Sequence, residues 1–274
     1  MISYPHAKIN LGLNIVEKRD DGFHNIETLF YPVTLCDIME ILPSTGKETI
    51  FTTSGILIPG DPGKNLVLRA YNLLSQEHTI PPVSIHLHKI IPMGSGLGGG
   101  SADAAFALIM LNKIFNLNLT EEKLESYASR LGSDCPFFIR RHPVFATKKG
   151  EQMEPVGLDL SGFHILIAVP GIHIDTSEAY SMIAPRIPLT GIRRLLKMPL
   201  ESWRENLVND FEKPISRKYP EINHIKERLY DSGAAYASMS GSGSAVFGIF
   251  RSRISLPEEF KNYFTWQGEL IPSF

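Results

Sequence analysis

Apolar and polar residues alternate near the start of the chain. Ala7, Ile9, Leu11, Leu13 and Ile15 fall on one side, Lys8, Asn10 and Asn14 on the other, and this period of two predicts a strand over residues 2–16. Lys8 and Asn10 then share a face about 7 Å apart, which suits either a polar pocket or a solvated outer surface. Residues 17–24 form a charged turn whose Asp21-Gly22 is a hairpin signal. A strand resumes through Ile26, Thr28, Phe30 and Val33, and two more are predicted over 37–42 and 48–53, so the opening of the chain is β-rich. After the turn cluster Gly60–Lys64, Asn65 is a predicted N-cap. Val67, Ala70, Tyr71 and Leu74 recur at helical spacing, giving a helix over 66–76. Pro81-Pro82 ends it, and residues 83–90 read as a strand.

That strand runs into a loop in which five of the seven residues from Gly94 to Gly100 are glycine. Glycine permits positive φ and close approach of another molecule to the backbone. The next segment, Ala104 to Leu111, is apolar on every side and predicts a helix buried all round. Strand, glycine loop and helix start leave free N–H groups at the positive end of a helix dipole, a natural place for phosphate. Three known loops fit poorly. A Walker A loop needs Gly-Lys-Ser/Thr where this chain has Gly100-Ser101 without lysine. Gly94, Gly96 and Gly99 satisfy the dinucleotide spacing, but outside an opening βαβ unit and without the following acid. The protein-kinase tripeptides His-Arg-Asp and Asp-Phe-Gly are absent from the sequence.

Thr120 is a predicted N-cap for a helix that ends at Gly132. Asp134 follows within Ser133–Phe138, read as a helix-to-strand junction, where it is either a turn aspartate bonded to its own backbone or a functional acid. Strands are expected over 143–147 and 163–169, with a boundary between them that divides the chain into 1–155 and 156–274. Asp175 or Thr176 caps a short helix, residues 186–206 read as helical with breaks at Pro188 and Pro199, and 222–229 reads as a helix. Strands 234–239 and 245–250 bracket Ser240-Gly241-Ser242-Gly243-Ser244, either a plain hairpin turn or a second anion-binding nest. A helix over 256–263 and a closing strand over 264–271 complete the chain.

Composition narrows the function classes. The 274 residues allow one large or two modest domains. A net charge of −2 gives no electrostatic footprint for nucleic acid. Two cysteines, Cys36 and Cys135, are too few for a disulfide framework or an all-cysteine zinc site, which fits a reducing compartment. No secretory signal and no apolar run of the ~20 residues needed to cross a bilayer is present. The expectation is a cytoplasmic protein with neither membrane nor nucleic-acid partner.

Three stretches, Pro5–Leu13, Pro92–Ala105 and Ser238–Phe247, resemble in that order the three signature motifs of the GHMP small-molecule kinases. Asp-Gly-Phe-His at 21–24 and Gly-Ser-Asp-Cys-Pro-Phe-Phe at 132–138 narrow the resemblance to a branch whose substrate is a cytidine diphosphate sugar-alcohol. The resemblance implies an α+β, two-domain GHMP kinase-like fold, with a ribosomal-S5-like N-terminal domain and a ferredoxin-like C-terminal domain. It implies transfer of phosphate from ATP, with Mg²⁺, to a hydroxyl of the small molecule; a monomer or weak homodimer is expected. By the same resemblance Lys8 and Asp134 are the catalytic pair, Asn10 holds the substrate, and Phe23 and His24 meet the cytosine. Pro92, Met93, Gly94, Ser95, Gly96, Leu97, Gly98, Gly99, Gly100 and Ser101 form the ATP phosphate loop, with Asn65 and Lys89 near the nucleotide. Ser101 is the candidate for holding the metal. Phe23 replaces a tyrosine common in the family, and the third motif lacks the family's arginine. A GHMP kinase of homoserine or mevalonate type is the alternative, against which Phe23-His24 argues, since those substrates carry no base.

Overall fold

The computed structural model describes residues 1–271. In chain order the elements are β1 (Ile2–Ser3), β2 (His6–Lys18), β3 (His24–Cys36), β4 (Ile38–Pro43), β5 (Ile50–Gly55), α1 (Leu66–Glu77), β6 (Val83–Lys89), α2 (Gly99–Ile114), α3 (Glu121–Leu131), α4 (Cys135–Arg140), β7 (Val144–Lys148), β8 (Gln152–Pro155) and β9 (His164–Val169). There follow α5 (Thr176–Ser181), α6 (Ile192–Leu195), α7 (Trp203–Asn206), α8 (Glu212–Lys218), α9 (Pro220–Asp231), β10 (Tyr236–Met239), β11 (Val246–Phe250) and β12 (Phe264–Glu269). The fold class is α+β, as expected from the sequence.

Two compact units emerge. The first gathers Met1–Ala7, Leu35–Met93 and Gly98–Arg141; the second gathers Lys8–Thr34, Gly94–Leu97 and the chain from His142 onward. A cut at 155/156 divides the sequence, whereas the compact units interleave, because β2 and β3 share a sheet with β7 and β8.

In the first unit a sheet of order β1-β4-β6-β5 has β5 parallel and β4 antiparallel to β6. Val83, Ile85 and Leu87 of β6 are fully buried while the residues between them are half-buried, so the alternation in the sequence sets which face meets the helices. Asn65 caps α1 by accepting from the Val67 N–H at 2.9 Å. Thr120 caps α3 through the Lys123 N–H. The second unit holds the β2-β3-β7-β8 sheet and an antiparallel sheet of order β10-β11-β9-β12. Leu166, Ala168, Met239 and Val246 of that sheet share a core with Ile222, Ile225 and Leu229 of α9.

Several expectations are corrected. Residues 135–140 form α4, so Asp134 stands at a helix-to-helix junction; Pro136 occupies the first turn, where its missing N–H costs nothing. Of residues 186–206 only Ile192–Leu195 and Trp203–Asn206 are α-helical, with a 3₁₀ turn at Leu200–Ser202. The helix expected over 256–263 is a 3₁₀ segment, Glu258–Asn262. The buried helix begins at Gly99, five residues earlier than its apolar run. Strand β8 is not signalled by its sequence, Gln152-Met153-Glu154-Pro155, whose residues are mostly exposed.

Candidate active site

Three glycines of the loop adopt left-handed φ: +61° at Gly94, +81° at Gly96 and +73° at Gly98. Only glycine takes such angles without cost, so alternate positions of the motif are fixed by backbone geometry. Gly96 also admits a close approach: a Cβ there would lie 2.0 Å from the Ser240 carbonyl oxygen. The second Gly/Ser loop therefore braces the first segment of the glycine loop. The Ser240 hydroxyl donates to the Gly96 carbonyl at 2.9 Å, and the Ala245 N–H donates to the Ser95 carbonyl at 3.0 Å. Leu97 accepts from the Lys8 N–H at 2.9 Å. Ser95, Leu97 and Gly99 are buried, whereas Met93, Gly94 and Gly100 are exposed.

Gly98 is the N-cap of α2 and supplies no side chain to the first turn. The N–H groups of an uncapped first turn need outside acceptors, and the helix dipole favours an anion there. Beside this helix start, within the first unit, lies a cleft of about 340 Å³ lined by Phe51, Thr53, Asn65, Met93, Gly100 and Asp103, among others. Asn65, besides capping α1, thus stands at the same cleft as the exposed Gly100.

Lys89 also borders the cleft, but its ammonium is committed. It is 2% exposed, pairs with Asp37, and donates to Asp103 Oδ2 at 2.8 Å. Asp37 Oδ1 in turn accepts from the Ile90 and Ile91 N–H groups at 2.6 and 2.8 Å, holding the strand end that precedes the loop. Burial opposes the charge on Lys89, but Asp103 and Asp37 more than offset it and raise its pKa. Burial pushes the Asp103 carboxyl up to about 7, against the pull of Lys89 and with the repulsion of Asp37. A Cβ on Gly99 would come within 2.9 Å of the Lys89 Nζ, so the ammonium sits directly against the first residue of α2. Asp37 and Asp103 were not among the residues singled out from the sequence. The signal was available: Lys89 continues the buried register of Val83, Ile85 and Leu87, and Asp103 is the one acid in a largely apolar helix.

Lys8 and Asn10 are buried, 3% and 2% exposed, which excludes the solvated-surface reading of that face. The Lys8 ammonium donates to Asn10 Oδ1 at 2.6 Å and lies 4.9 Å from the centre of the Phe30 ring. Asp134 is half-buried, and its side chain does not cap α4. Ser101, in the first turn of α2, has its hydroxyl within hydrogen-bond reach of Cys135, whose thiol burial pushes up to about 12 and so keeps protonated. Phe23 is 57% exposed under the Lys149 ammonium. His24 stacks on Tyr180 of α5, ring centres 4.7 Å apart and planes 15° from parallel. Burial and the nearby Lys18 lower its pKa, so the ring is neutral at pH 7. Tyr180 had no role assigned from sequence; its short helix gave no periodic signal.

Comparison with known proteins gives this arrangement its family. The description "GHMP kinases N terminal domain" matches residues 65–141 and "GHMP kinases C terminal" matches residues 192–262. A 4-diphosphocytidyl-2-C-methyl-D-erythritol kinase of Parabacteroides distasonis is 48% identical over 98% of this chain and all of its own. One of Cytophaga hutchinsonii is 50% identical over 95% of each chain. The chain belongs to the 4-diphosphocytidyl-2-C-methyl-D-erythritol kinase family of GHMP kinases. A crystal structure of 4-(cytidine 5'-diphospho)-2C-methyl-D-erythritol kinase superposes with a TM-score of 0.80 at 29% identity, covering 99% of both chains. The glycine loop lies within the N-terminal match and the bracing Ser240 loop within the C-terminal one. Among the described residues no helix is long and apolar enough to cross a membrane.

Proposed function

We propose that this protein transfers the γ-phosphoryl group of ATP to the 2-hydroxyl of 4-diphosphocytidyl-2-C-methyl-D-erythritol, a step of the non-mevalonate route to isoprenoid precursors. The observation that carries the reading is identity of 48–50% over nearly the whole chain with kinases of that name. The cleft beside Asn65 and Gly100 takes the nucleoside, and the uncapped start of α2 takes the phosphates. Phosphoryl transfer asks mainly for positioning and neutralisation of charge, which backbone N–H groups and a helix dipole provide.

Asp134 accepts the proton of the substrate hydroxyl, and Lys8, steadied by Asn10, stabilises the charge that develops as the hydroxyl oxygen attacks. Phe23 and His24 meet the cytosine: a neutral imidazole offers one donor and one acceptor to the edge of a base. Ser101, in the first turn of α2, would contribute its hydroxyl to a magnesium site. Among the described residues no three acidic, His or Cys side chains could hold a metal, a donor set that fits magnesium held mostly by phosphate oxygens and water. When bound, the ion supplies charge neutralisation on the transferring phosphate.

Incubation of the purified protein with ATP, Mg²⁺ and candidate alcohols, followed by phosphorus NMR, tests the reading. A new phosphomonoester is expected only with the cytidine-bearing alcohol; transfer to homoserine or mevalonate instead would select the alternative. His24→Ala is expected to weaken competition by cytidine diphosphate about ten-fold or more, the order of one or two lost hydrogen bonds, with the KM for ATP unchanged. Equal inhibition of the variant and the parent would remove His24 from the cytosine site.

A further inference from the structure

Behind Lys8 and Asn10 runs a chain of buried hydrogen bonds whose polarity can be worked out without seeing a proton. Thr28 is fully buried on β3, and its hydroxyl lies 2.6 Å from the Gly12 carbonyl oxygen. A carbonyl only accepts, so the single hydroxyl proton of Thr28 is spent there. Toward Asn10, 2.9 Å away, the hydroxyl oxygen can then only accept, which requires the amide nitrogen of Asn10 to face it. The amide oxygen is thereby turned to the opposite side, where the Lys8 ammonium, a group that only donates, meets it at 2.6 Å. The Asn10 backbone N–H is held separately, by the Ser240 hydroxyl at 3.3 Å. The orientation of the amide, usually ambiguous from heavy atoms alone, is fixed here from both ends.

We propose that Thr28 is a positioning residue for phosphoryl transfer: by accepting from Asn10 Nδ2 it locks the amide oxygen toward Lys8 and so sets the place of the catalytic ammonium. This rests on the kinase reading given above. Thr28 acts through the amide of Asn10. Without the hydroxyl the buried amide nitrogen loses its acceptor and the amide is held only from the Lys8 side, so it samples rotated positions that present donors to an ammonium. The β-branched shape of threonine suits the strand, but valine has the same shape, so shape alone does not account for the hydroxyl.

The test compares Thr28→Val, which keeps the volume, with Thr28→Ser, which keeps the hydroxyl. Thr28→Val is expected to lower kcat roughly ten- to a hundred-fold with the KM for ATP little changed and the melting temperature lowered by the loss of the two buried hydrogen bonds, and Thr28→Ser to restore kcat to within a few-fold. If Thr28→Val does not fold, Thr28→Cys, whose thiol is a much weaker donor and acceptor, is read in its place. A second readout is independent of turnover. The Lys8 ammonium lies over the Phe30 ring, so in lysine-labelled protein its ε-CH₂ signal, assigned by its loss in Lys8→Arg, should carry a ring-current shift. That shift is expected to be kept in Thr28→Ser and to move toward the ordinary lysine position in Thr28→Val. Wild-type kcat in Thr28→Val, equal losses in Val and Ser, or an unmoved Lys8 signal in Thr28→Val would each overturn the proposal. A parent protein that transfers phosphate to no alcohol sinks the kinase reading instead, and the Lys8 signal still decides the role of Thr28.

Discussion

Asp134→Asn is expected to lower kcat by about 10²–10⁴-fold, the usual worth of general-base assistance, while ATP still binds. Asparagine matches aspartate in size, so the junction before α4 should keep its form; what is lost is the ability to take a proton. Lys8→Ala is expected to fall comparably in kcat. It removes a buried ammonium together with its bond to Asn10, and therefore should also carry a loss of stability. On the proposed reading the two residues serve one step, so the double variant should be little worse than either single one, as groups acting as a unit are strongly non-additive. Single-turnover kinetics with nucleotide binding measured separately decides the matter: near-parental kcat in both single variants would dismiss the pair.

The second large effect concerns folding. Lys89→Met should destabilise the protein by about 3–5 kcal/mol, the cost of removing one partner from a buried ion pair, and much of an ordinary domain's ~5–15 kcal/mol. Methionine fills a similar volume, so the loss is electrostatic: Asp37 and Asp103 remain, both almost fully buried, with no cation. Urea unfolding measures it, and a change under 1 kcal/mol would show that the cluster is dispensable. The same cluster gives a pH dependence. The Asp103 carboxyl, near 7 in the folded protein, lies above the ~3.9 of an unfolded aspartate, so the folded state holds the proton more tightly. That contribution to stability is complete below about pH 4 and is lost as the pH rises through about 7. Asp103→Asn, which needs no proton to stay neutral and leaves Lys89 paired one-to-one with Asp37, should show a flatter stability profile between pH 5 and 8. An unchanged slope would place the titration elsewhere.

Periodicity, caps and glycine placement were legible in the sequence because each is a local property. The alternation through Ala7–Ile15 and Val83–Leu87 encodes which side of a strand is buried. Asn65 and Thr120 declare helix starts through side chains that reach N–H groups two or three residues on. The order of the three motifs, spread from Pro5 to Phe247, was enough to identify the GHMP kinases, and residues 21–24 and 132–138 narrowed the branch. Where local signals were weak, expectation and structure parted: Cys135–Arg140 is apolar and short enough to read as a strand, and two prolines and scattered leucines between 186 and 206 suggested more helix than forms. What the tertiary structure alone decided is which polar groups meet. Lys89 and Asp37 are 52 residues apart, and Asn10 and Ser240 are 230 apart. No spacing rule encodes such pairs, because a side chain's partner is chosen by how sheets and helices pack and by the penalty on a buried polar group left unmatched. The same holds for Thr28: its sequence position marks a strand residue, and only the buried neighbours of its hydroxyl determine which way a proton must point.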